Sequence, residues 1–369
     1  MTTITVGANN TEIYMSKIKD KKIGIVANQT SVIFKKQNQS THIHLVDSLL
    51  SRNISIQKVF SPEHGFRGKA DAAEYVANGI DAKTSLPIIS LYGKNKKPNT
   101  EQLLGIEVMV FDIQDVGVRF YTYISTLHYV MEACAENNIP LLILDRPNPN
   151  GHYIDGPTLD TKHKSFVGMH PVPLVYGMTI GEYAQMINGE KWLKNKIFCD
   201  LTVIRLKNYT HQSGYNLPIR PSPNLPNSKS INLYPSLGFF EGTPINAGRG
   251  TEFQFQRFGS SKFSKTNFTY TPQPNFGSKH PKDQDKMCHG FDLSNEKELH
   301  KINISWLLKA YKKYPNKDNF FGKTFTIHAG SRLLQKQLEA DYSAKKIEDS
   351  WKNDIAKFKT IRKKYLLYK

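Results

Sequence analysis

Short apolar runs alternate with amphipathic stretches through the first two hundred residues of the chain. The apolar runs have the length of buried strands, and the stretches between them repeat apolar residues at helical spacing. The pattern predicts strands at residues 23–27, 54–60, 88–91, 108–113, 141–144 and 201–206, and helices at 45–50, 123–137 and 179–187. Continuous apolar strands separated by helices are typical of a parallel sheet covered on both faces. We therefore expect an α/β fold whose first part is a Rossmann-like, doubly wound domain ending at Tyr209.

The pattern changes beyond Tyr209. A stretch rich in proline and asparagine, 216–227, is followed by glycines, short apolar runs and a polar, lysine-rich segment over 260–286. Residues 325–327 have the composition of a strand, and helical patterns begin near residues 332 and 345, the second continuing to residue 369 as one amphipathic helix. We predict two domains, a Rossmann-like domain over residues 1–209 and a smaller α+β domain over residues 210–369.

Size and hydropathy argue against a membrane span and leave the compartment open. The chain has 369 residues and a mean hydropathy of −0.48, and no apolar run approaches the roughly 18 residues that cross a bilayer. The first residues lack the basic and apolar regions of a signal peptide. The chain is therefore either cytoplasmic, or periplasmic or secreted if a signal has been removed.

The chain is strongly basic, since 50 lysines and arginines against 32 aspartates and glutamates give a formal net charge of +18. Such a charge suits nucleic acid, a membrane surface or an anionic polymer. No recognisable nucleic-acid module accompanies it, so we expect no nucleic-acid partner. Solvated surface lysines are the simpler explanation for the excess.

Neither a cofactor nor a metal is predicted. The first strand leads into Asn28-Gln29-Thr30-Ser31, which lacks the glycines that let a backbone approach a dinucleotide pyrophosphate. The three cysteines, Cys134, Cys199 and Cys288, do not have the spacing of metal ligands and leave at least one thiol unpaired.

Three polar loops follow predicted strands at their carboxyl ends. They comprise Ser-Pro-Glu-His-Gly-Phe-Arg-Gly at 61–68, the segment 112–121, and Asp-Arg-Pro-Asn-Pro-Asn-Gly at 145–151. In a parallel sheet such loops converge on one edge, where α/β proteins bind their ligands. Together they predict a pocket at that edge.

The first loop supplies a candidate acid. Proline and glycine suit a tight turn that exposes Glu63. Glycoside cleavage needs a carboxylic acid to protonate the leaving oxygen, and a second group that activates water or attacks the sugar. Asp112 and Asp115 are candidates for the second role, although an aspartate at a strand end often caps the next turn instead.

Other side chains of these loops, and Arg249 further along the chain, are candidates for binding a ligand. Arg67, Arg119, Arg146 and Arg249 can each bind a carboxylate through a bidentate fork, or pair with a neighbouring aspartate instead. Tyr121 can stack on a sugar ring or belong to the core. His64 beside Glu63 raises a metal-dependent hydrolase as an alternative, which no His-x-x-x-His motif or cysteine pair supports.

Several motifs resemble the exo-β-N-acetylmuramidase (NamZ) family of glycoside hydrolases. The resemblance rests on the loops at 61–68, 111–123 and 144–151, and on segments at 168–173, 176–182, 221–226, 241–243 and 248–252. It covers nearly the whole chain, from Val-Ala-Asn-Gln-Thr at 26–30 to the C-terminal helices. Many relatives carry an export signal that this chain does not show.

The resemblance implies an enzyme that releases single N-acetylmuramic acid units from the non-reducing ends of peptidoglycan fragments. It also implies a Rossmann-like domain and a smaller domain with the active site in the cleft between them. Muramic acid carries a lactyl carboxylate, which an arginine of the site could bind. We therefore predict peptidoglycan-derived saccharides as partners. We predict Glu63 as the general acid/base, assisted by Asp112 or Asp115 as the second catalytic carboxylate. Candidate substrate-binding residues are His64, Arg67, Gln114, Arg119, Tyr121, Arg146, Asn148, Glu182, Asn224, Glu241, Arg249 and Glu252.

Two points stay open at this level. A retaining, an inverting and a substrate-assisted mechanism, the last using the 2-acetamido group, all fit the sequence. A non-catalytic muropeptide-binding protein built on the same two-domain clamp is the alternative function.

Overall fold

The computed structural model describes residues 3–35, 39–67 and 78–368. The strands are β1 (Lys22–Ala27), β2 (Val32–Phe34), β3 (His42–His44), β4 (Ser55–Ser61), β5 (Gly79–Ile80), β6 (Pro87–Ser90), β7 (Val108–Asp112), β8 (Leu141–Leu144), β9 (Leu201–Ile204), β10 (Arg257–Ser260), β11 (Phe268–Tyr270) and β12 (Cys288–Asp292). The helices are α1 (Thr11–Ile18), α2 (Leu45–Leu50), α3 (Thr100–Leu103), α4 (Tyr123–Glu136), α5 (Ile180–Gly189), α6 (Ser228–Leu237), α7 (Ser305–Lys313), α8 (Phe325–Ala329), α9 (Leu333–Glu339), α10 (Ala344–Asp349) and α11 (Lys352–Lys363).

The large sheet has the strand order β5-β6-β4-β1-β7-β8-β9. Its strands are parallel except for β5, which runs antiparallel to β6. In chain order the six parallel strands are arranged 3-2-1-4-5-6, the order of a doubly wound Rossmann sheet. The α/β prediction is confirmed. The order reverses beside β1 and β7, so the loops that follow β4, β6 and β7 emerge at the carboxyl edge near this switch point.

Apolar clusters cover both faces of the large sheet. Within β1, Ile23 and Ile25 face the cluster that includes Tyr14 of α1 and Leu49 of α2, whereas Val26 faces the cluster with α4 and α5. Successive side chains of a strand point to opposite faces, so a strand buried on both sides needs an uninterrupted apolar run. Because of this requirement, the strands of the first part can be predicted from the sequence.

The second part of the chain adds a small antiparallel sheet in the order β10-β12-β11, with helices around it. Its apolar residues join the cluster on the α4 and α5 face of the large sheet. The chain end returns to the first part, where the Tyr368 hydroxyl donates to Asp145 Oδ2 at 2.6 Å. The smaller α+β unit is confirmed, while the boundary at Tyr209 stays a prediction.

Two expectations about the second part were wrong. Residues 325–327 begin helix α8 instead of forming a strand, because Phe325 and Ala329 share a buried face and Gly330, at φ +81°, ends the helix. A short apolar run does not by itself distinguish a strand from a buried helix. The amphipathic stretch after residue 345 forms two helices, α10 and α11, since Trp351 turns into the core between them. Among the described helices, none combines the length and apolar character that crossing a bilayer requires.

Candidate active site

A cavity of 560 Å³ lies where loops at the carboxyl edge of the large sheet meet segments of the second part. This volume is in the range that small-molecule sites occupy. The loops after β4, β6 and β7 and a segment around Phe166 supply Glu63, His64, Tyr92, Gly93, Lys96, Phe120, Tyr121, Thr122, Tyr123, Phe166 and Val167. The second part supplies Ser222, Asn224, Leu225, Tyr234, Glu241, Arg249, Phe255, Thr324 and His328.

Glu63 enters the cavity from the tight turn that follows β4. The Gly65 amide donates to the Pro62 carbonyl oxygen at 3.1 Å, and His64 and Gly65 adopt positive φ angles of 72° and 78°. A left-handed conformation is uncommon for a residue other than glycine, so His64 carries local backbone strain. Gly68, the last residue of the predicted motif, lies outside the described residues.

Two hydroxyl groups hold the half-buried Glu63 carboxylate in place. Thr122 Oγ1 donates to Glu63 Oε2 at 2.8 Å, and the Tyr92 hydroxyl also hydrogen-bonds the carboxylate. Burial, followed by the charge of Glu63, raises the pKa of Tyr92 above its ordinary value, so Tyr92 stays a neutral donor. The Glu63 carboxylate is therefore held by one side chain from the loop after β6 and by one from the start of α4.

Asp112 lies outside the cavity, at the end of β7. It is fully buried, and its carboxylate accepts from Arg146 Nε at 2.6 Å and Nη2 at 2.9 Å. Burial raises the pKa of Asp112, against the opposing effect of Arg146. The structure thus places Asp112 and Arg146 in one interior ion pair that joins the second and third polar loops.

Asp115 also lies outside the cavity lining. Its Oδ2 accepts from the Gly117 amide at 2.7 Å and from the Tyr176 hydroxyl. Gly117 adopts a φ of +75°, so this carboxylate closes a tight turn, as in the capping alternative that the sequence left open. Burial raises the pKa of Asp115 to about 6.

Arg119 joins the two parts of the chain from the interior. Its fully buried guanidinium donates to the carbonyl oxygens of Pro157 at 2.6 Å, Val172 at 2.8 Å and Ala329 at 2.9 Å. Burial lowers the pKa of Arg119 to about 10. Since Ala329 ends α8, Arg119 fixes the helix that carries His328 at the cavity wall.

Five further predicted binding residues do not line the cavity. Gln114 donates to the Pro147 carbonyl oxygen at 2.7 Å, and Asn148 to that of Met178 at 2.9 Å. Glu182 forms the capping box of α5 and pairs with His211, and Arg67 pairs with Asp81. The Glu252 side chain is exposed. Gln114 thus joins the second polar loop to the third, and Asn148 joins the third loop to the segment before α5.

The second part contributes a charged cluster to the cavity. Arg249 Nε lies 2.9 Å from Glu241 Oε1, and the Lys282 ammonium donates to the Phe240 carbonyl oxygen at 2.7 Å. Burial acts to raise the pKa of Glu241, but the charges of Arg249, Lys282 and His328 together lower it below its ordinary value. Glu241 is therefore ionised beside an excess of positive charge.

Asn224 presents an acceptor at the same side. Its Nδ2 donates to the Gly277 carbonyl oxygen, and its Oδ1 accepts no hydrogen bond from the described residues although the side chain is buried. A buried acceptor costs free energy unless a ligand or water donates to it. The amide N–H or a hydroxyl group of a sugar is a suitable donor.

Several lining residues were not predicted from the sequence. Tyr92 and Lys96 follow β6 at the carboxyl edge, and the reasoning that identified the other loops applies to them as well. Phe166, Phe255 and His328 carried no such signal, because they come from segments that only tertiary packing brings to the edge. Of the predicted residues, the cavity contains Glu63, His64, Tyr121, Asn224, Glu241 and Arg249.

Models of one protein family match the chain almost from end to end. The N-terminal model of the exo-β-N-acetylmuramidase NamZ matches residues 23–229, and the C-terminal model of the same protein matches residues 232–368. The chain belongs to the NamZ family. It is therefore a glycosidase, as the resemblance predicted, and the alternative of a non-catalytic binding protein gains no support.

Individual relatives agree with this assignment. The peptidoglycan β-N-acetylmuramidase NamZ of Bacillus subtilis (strain 168) is 37% identical over 378 residues, which cover 96% of this chain and 89% of the relative. Crystal structures of two DUF1343 family proteins from Bacteroides fragilis NCTC 9343 have the same fold. One superposes with a TM-score of 0.91 at 45% identity over 99% of both chains, and the other with 0.84 at 29% identity over 100% of both.

The described part of the chain contains no group of three or more histidine, cysteine, aspartate or glutamate side chains arranged to hold a metal ion. His64 instead lines the cavity next to Glu63. The chemistry available at the cavity wall is that of two carboxylates, a guanidinium, the Lys96 ammonium, two imidazoles, an amide and several hydroxyl groups.

Proposed function

We propose that Glu63 is the general acid with which this muramidase protonates the leaving oxygen of a glycosidic bond. The observation that carries the proposal is the placement of the carboxylate on the cavity wall, where Thr122 and Tyr92 hydrogen-bond it. Family membership supplies the reaction, which is the release of N-acetylmuramic acid from the non-reducing ends of peptidoglycan fragments.

Glu241 replaces Asp112 and Asp115 as the second carboxylate in this proposal. Asp112, in its ion pair with Arg146, and Asp115, in its turn, both lie outside the cavity lining, whereas Glu241 is part of it. A depressed pKa keeps Glu241 ionised, the state required to activate water, to attack the sugar, or to hold the N–H of a 2-acetamido group that itself attacks. Glu241→Gln is expected to lower turnover strongly.

Arg249 is the proposed partner of the lactyl carboxylate. Of the four arginines predicted to bind an anion, it is the one that lines the cavity, and Lys282 adds a second positive charge behind it. A guanidinium binds a carboxylate through two parallel hydrogen bonds. Glu241 holds Arg249 in position and leaves the cluster with a net positive charge.

The test compares two isomeric disaccharides. One has N-acetylmuramic acid at its non-reducing end and N-acetylglucosamine at its reducing end, and the other has the two sugars in reverse order. We expect mass spectrometry to detect free N-acetylmuramic acid from the first and no cleavage of the second. Cleavage of both at similar rates, or of neither, would contradict the proposal.

A further inference from the structure

The cavity wall contains a series of contacts with Glu63 near its middle. On one side the series passes through Tyr123, Tyr121, Tyr234 and Phe255, with ring centroids 4.7, 6.2 and 4.7 Å apart, to the Arg249 guanidinium, 5.6 Å from the Phe255 ring. On the other side it passes through Tyr92 and Phe166, 6.1 Å apart, to the Lys96 ammonium, 4.9 Å from the Phe166 ring. The Tyr123 hydroxyl, 3.5 Å from the Glu63 carbonyl oxygen, and the Tyr92 hydroxyl join the two sides at the acid.

With Glu63 as the acid, the series of contacts is divided into two subsites. A general acid lies within hydrogen-bond reach of the oxygen between the two sugars, so one sugar occupies each side of it. The side with Arg249 and Glu241 suits the muramic unit, whose lactyl group is a carboxylate. The opposite side is then left for the part of the fragment that departs.

We infer that Tyr92, Phe166 and Lys96 form the subsite for the leaving sugar, a pyranose that packs in the angle of 57° between the two rings. This inference rests on the proposed role of Glu63. Aromatic rings bury a large area against a ligand with little loss of side-chain freedom, and the Tyr92 hydroxyl provides a polar edge. The Lys96 ammonium adds a donor for the ring hydroxyl groups.

Helix α4 holds this subsite in place. Tyr129 of α4 lies nearly parallel to the Phe166 ring, with an interplanar angle of 14° and centroids 6.3 Å apart. Lys97, next to Lys96, forms ion pairs with Glu132 at 2.8 Å and Glu136 at 2.6 Å, both on α4. Since α4 starts at Tyr123 on the cavity wall, one rigid element positions both the subsite and the acid.

The test separates substrates with and without a leaving sugar. The disaccharide with N-acetylmuramic acid at its non-reducing end fills both subsites, whereas N-acetylmuramyl fluoride fills only the muramic side. For Phe166→Ala we expect kcat/KM to fall about tenfold on the disaccharide and to change less than twofold on the fluoride. Phe166→Leu, which keeps apolar volume without a flat ring, carries the same test if the alanine variant does not fold.

The control is Phe198→Ala, which removes an exposed ring that is 71% accessible and outside the cavity. An equal loss on both substrates, or no loss on the disaccharide, would overturn the subsite while leaving the muramidase intact. A wild-type enzyme that does not cleave the disaccharide would instead refute the proposed function, so the two failures are distinguishable.

Discussion

Asp115 is expected to make the stability of the protein fall as pH rises, the reverse of the usual behaviour of an aspartate. Burial raises the pKa of this carboxyl from 3.8 to about 6 in the folded state. Between these values the folded state keeps a proton that the unfolded state releases. Stability falls with pH wherever the folded state binds more protons, so the contribution of Asp115 is present below pH 3.8 and is lost by pH 6.

The magnitude follows from the two pKa values. At about 1.4 kcal/mol for each pH unit between them, the full change is about 3 kcal/mol, of which roughly 2 kcal/mol falls between pH 4 and pH 7. Asp115→Asn binds no proton at this position. The free energy of unfolding of the wild type, minus that of Asp115→Asn, should therefore decrease by that amount across the range.

Urea unfolding at pH 4, 5, 6 and 7 measures this difference directly. Asp285→Asn is a matched control, because Asp285 is exposed and its φ of +60° suits asparagine as well as aspartate. We expect the control difference to stay flat. A flat difference for Asp115→Asn, or one that increases with pH, would refute the reasoning about its buried carboxyl.

Two further predictions concern the other charged groups. Asp112→Asn leaves the Arg146 guanidinium buried without its carboxylate and should lower the free energy of unfolding by about 3–5 kcal/mol; unchanged urea unfolding with lost activity would instead indicate a direct catalytic role. Arg249→Gln should weaken inhibition by free N-acetylmuramic acid about 10- to 100-fold, since hydrogen bonds to charged groups contribute about 1.5–3 kcal/mol. Inhibition by N-acetylglucosamine, which lacks the lactyl carboxylate, serves as its control, and an equal loss for both sugars would contradict the assignment of Arg249.

The first half of the fold was predictable because its strands are buried on both faces. Such strands need continuous apolar runs, and the helices between them need apolar residues on one side. The elements of the second half were harder to predict. One of them, α8, is a short helix in which Phe325 and Ala329 face the core. A helix of five residues is too short for its periodicity to be recognised in the sequence.

The candidate site was predictable in location but only partly in composition. Aspartates at strand ends look alike in the sequence whether they face a cavity or the interior. Arg146, 34 residues away, holds Asp112 in an ion pair inside the protein. Tyr176, 61 residues away, donates a hydrogen bond to Asp115. Those partners become visible only when the loops are packed together, as does the approach of Glu241 and Arg249 from the second half of the chain.

The most direct test of the central claim is the turnover of the Glu63→Gln variant on the disaccharide with N-acetylmuramic acid at its non-reducing end. General acid catalysis typically contributes about 10²- to 10⁴-fold, so we expect kcat to fall within that range while urea unfolding stays that of the wild type. Glu296→Gln makes the same chemical change at an exposed position and should leave kcat unchanged. Near-normal release of N-acetylmuramic acid by Glu63→Gln would contradict the assignment of Glu63 as the acid.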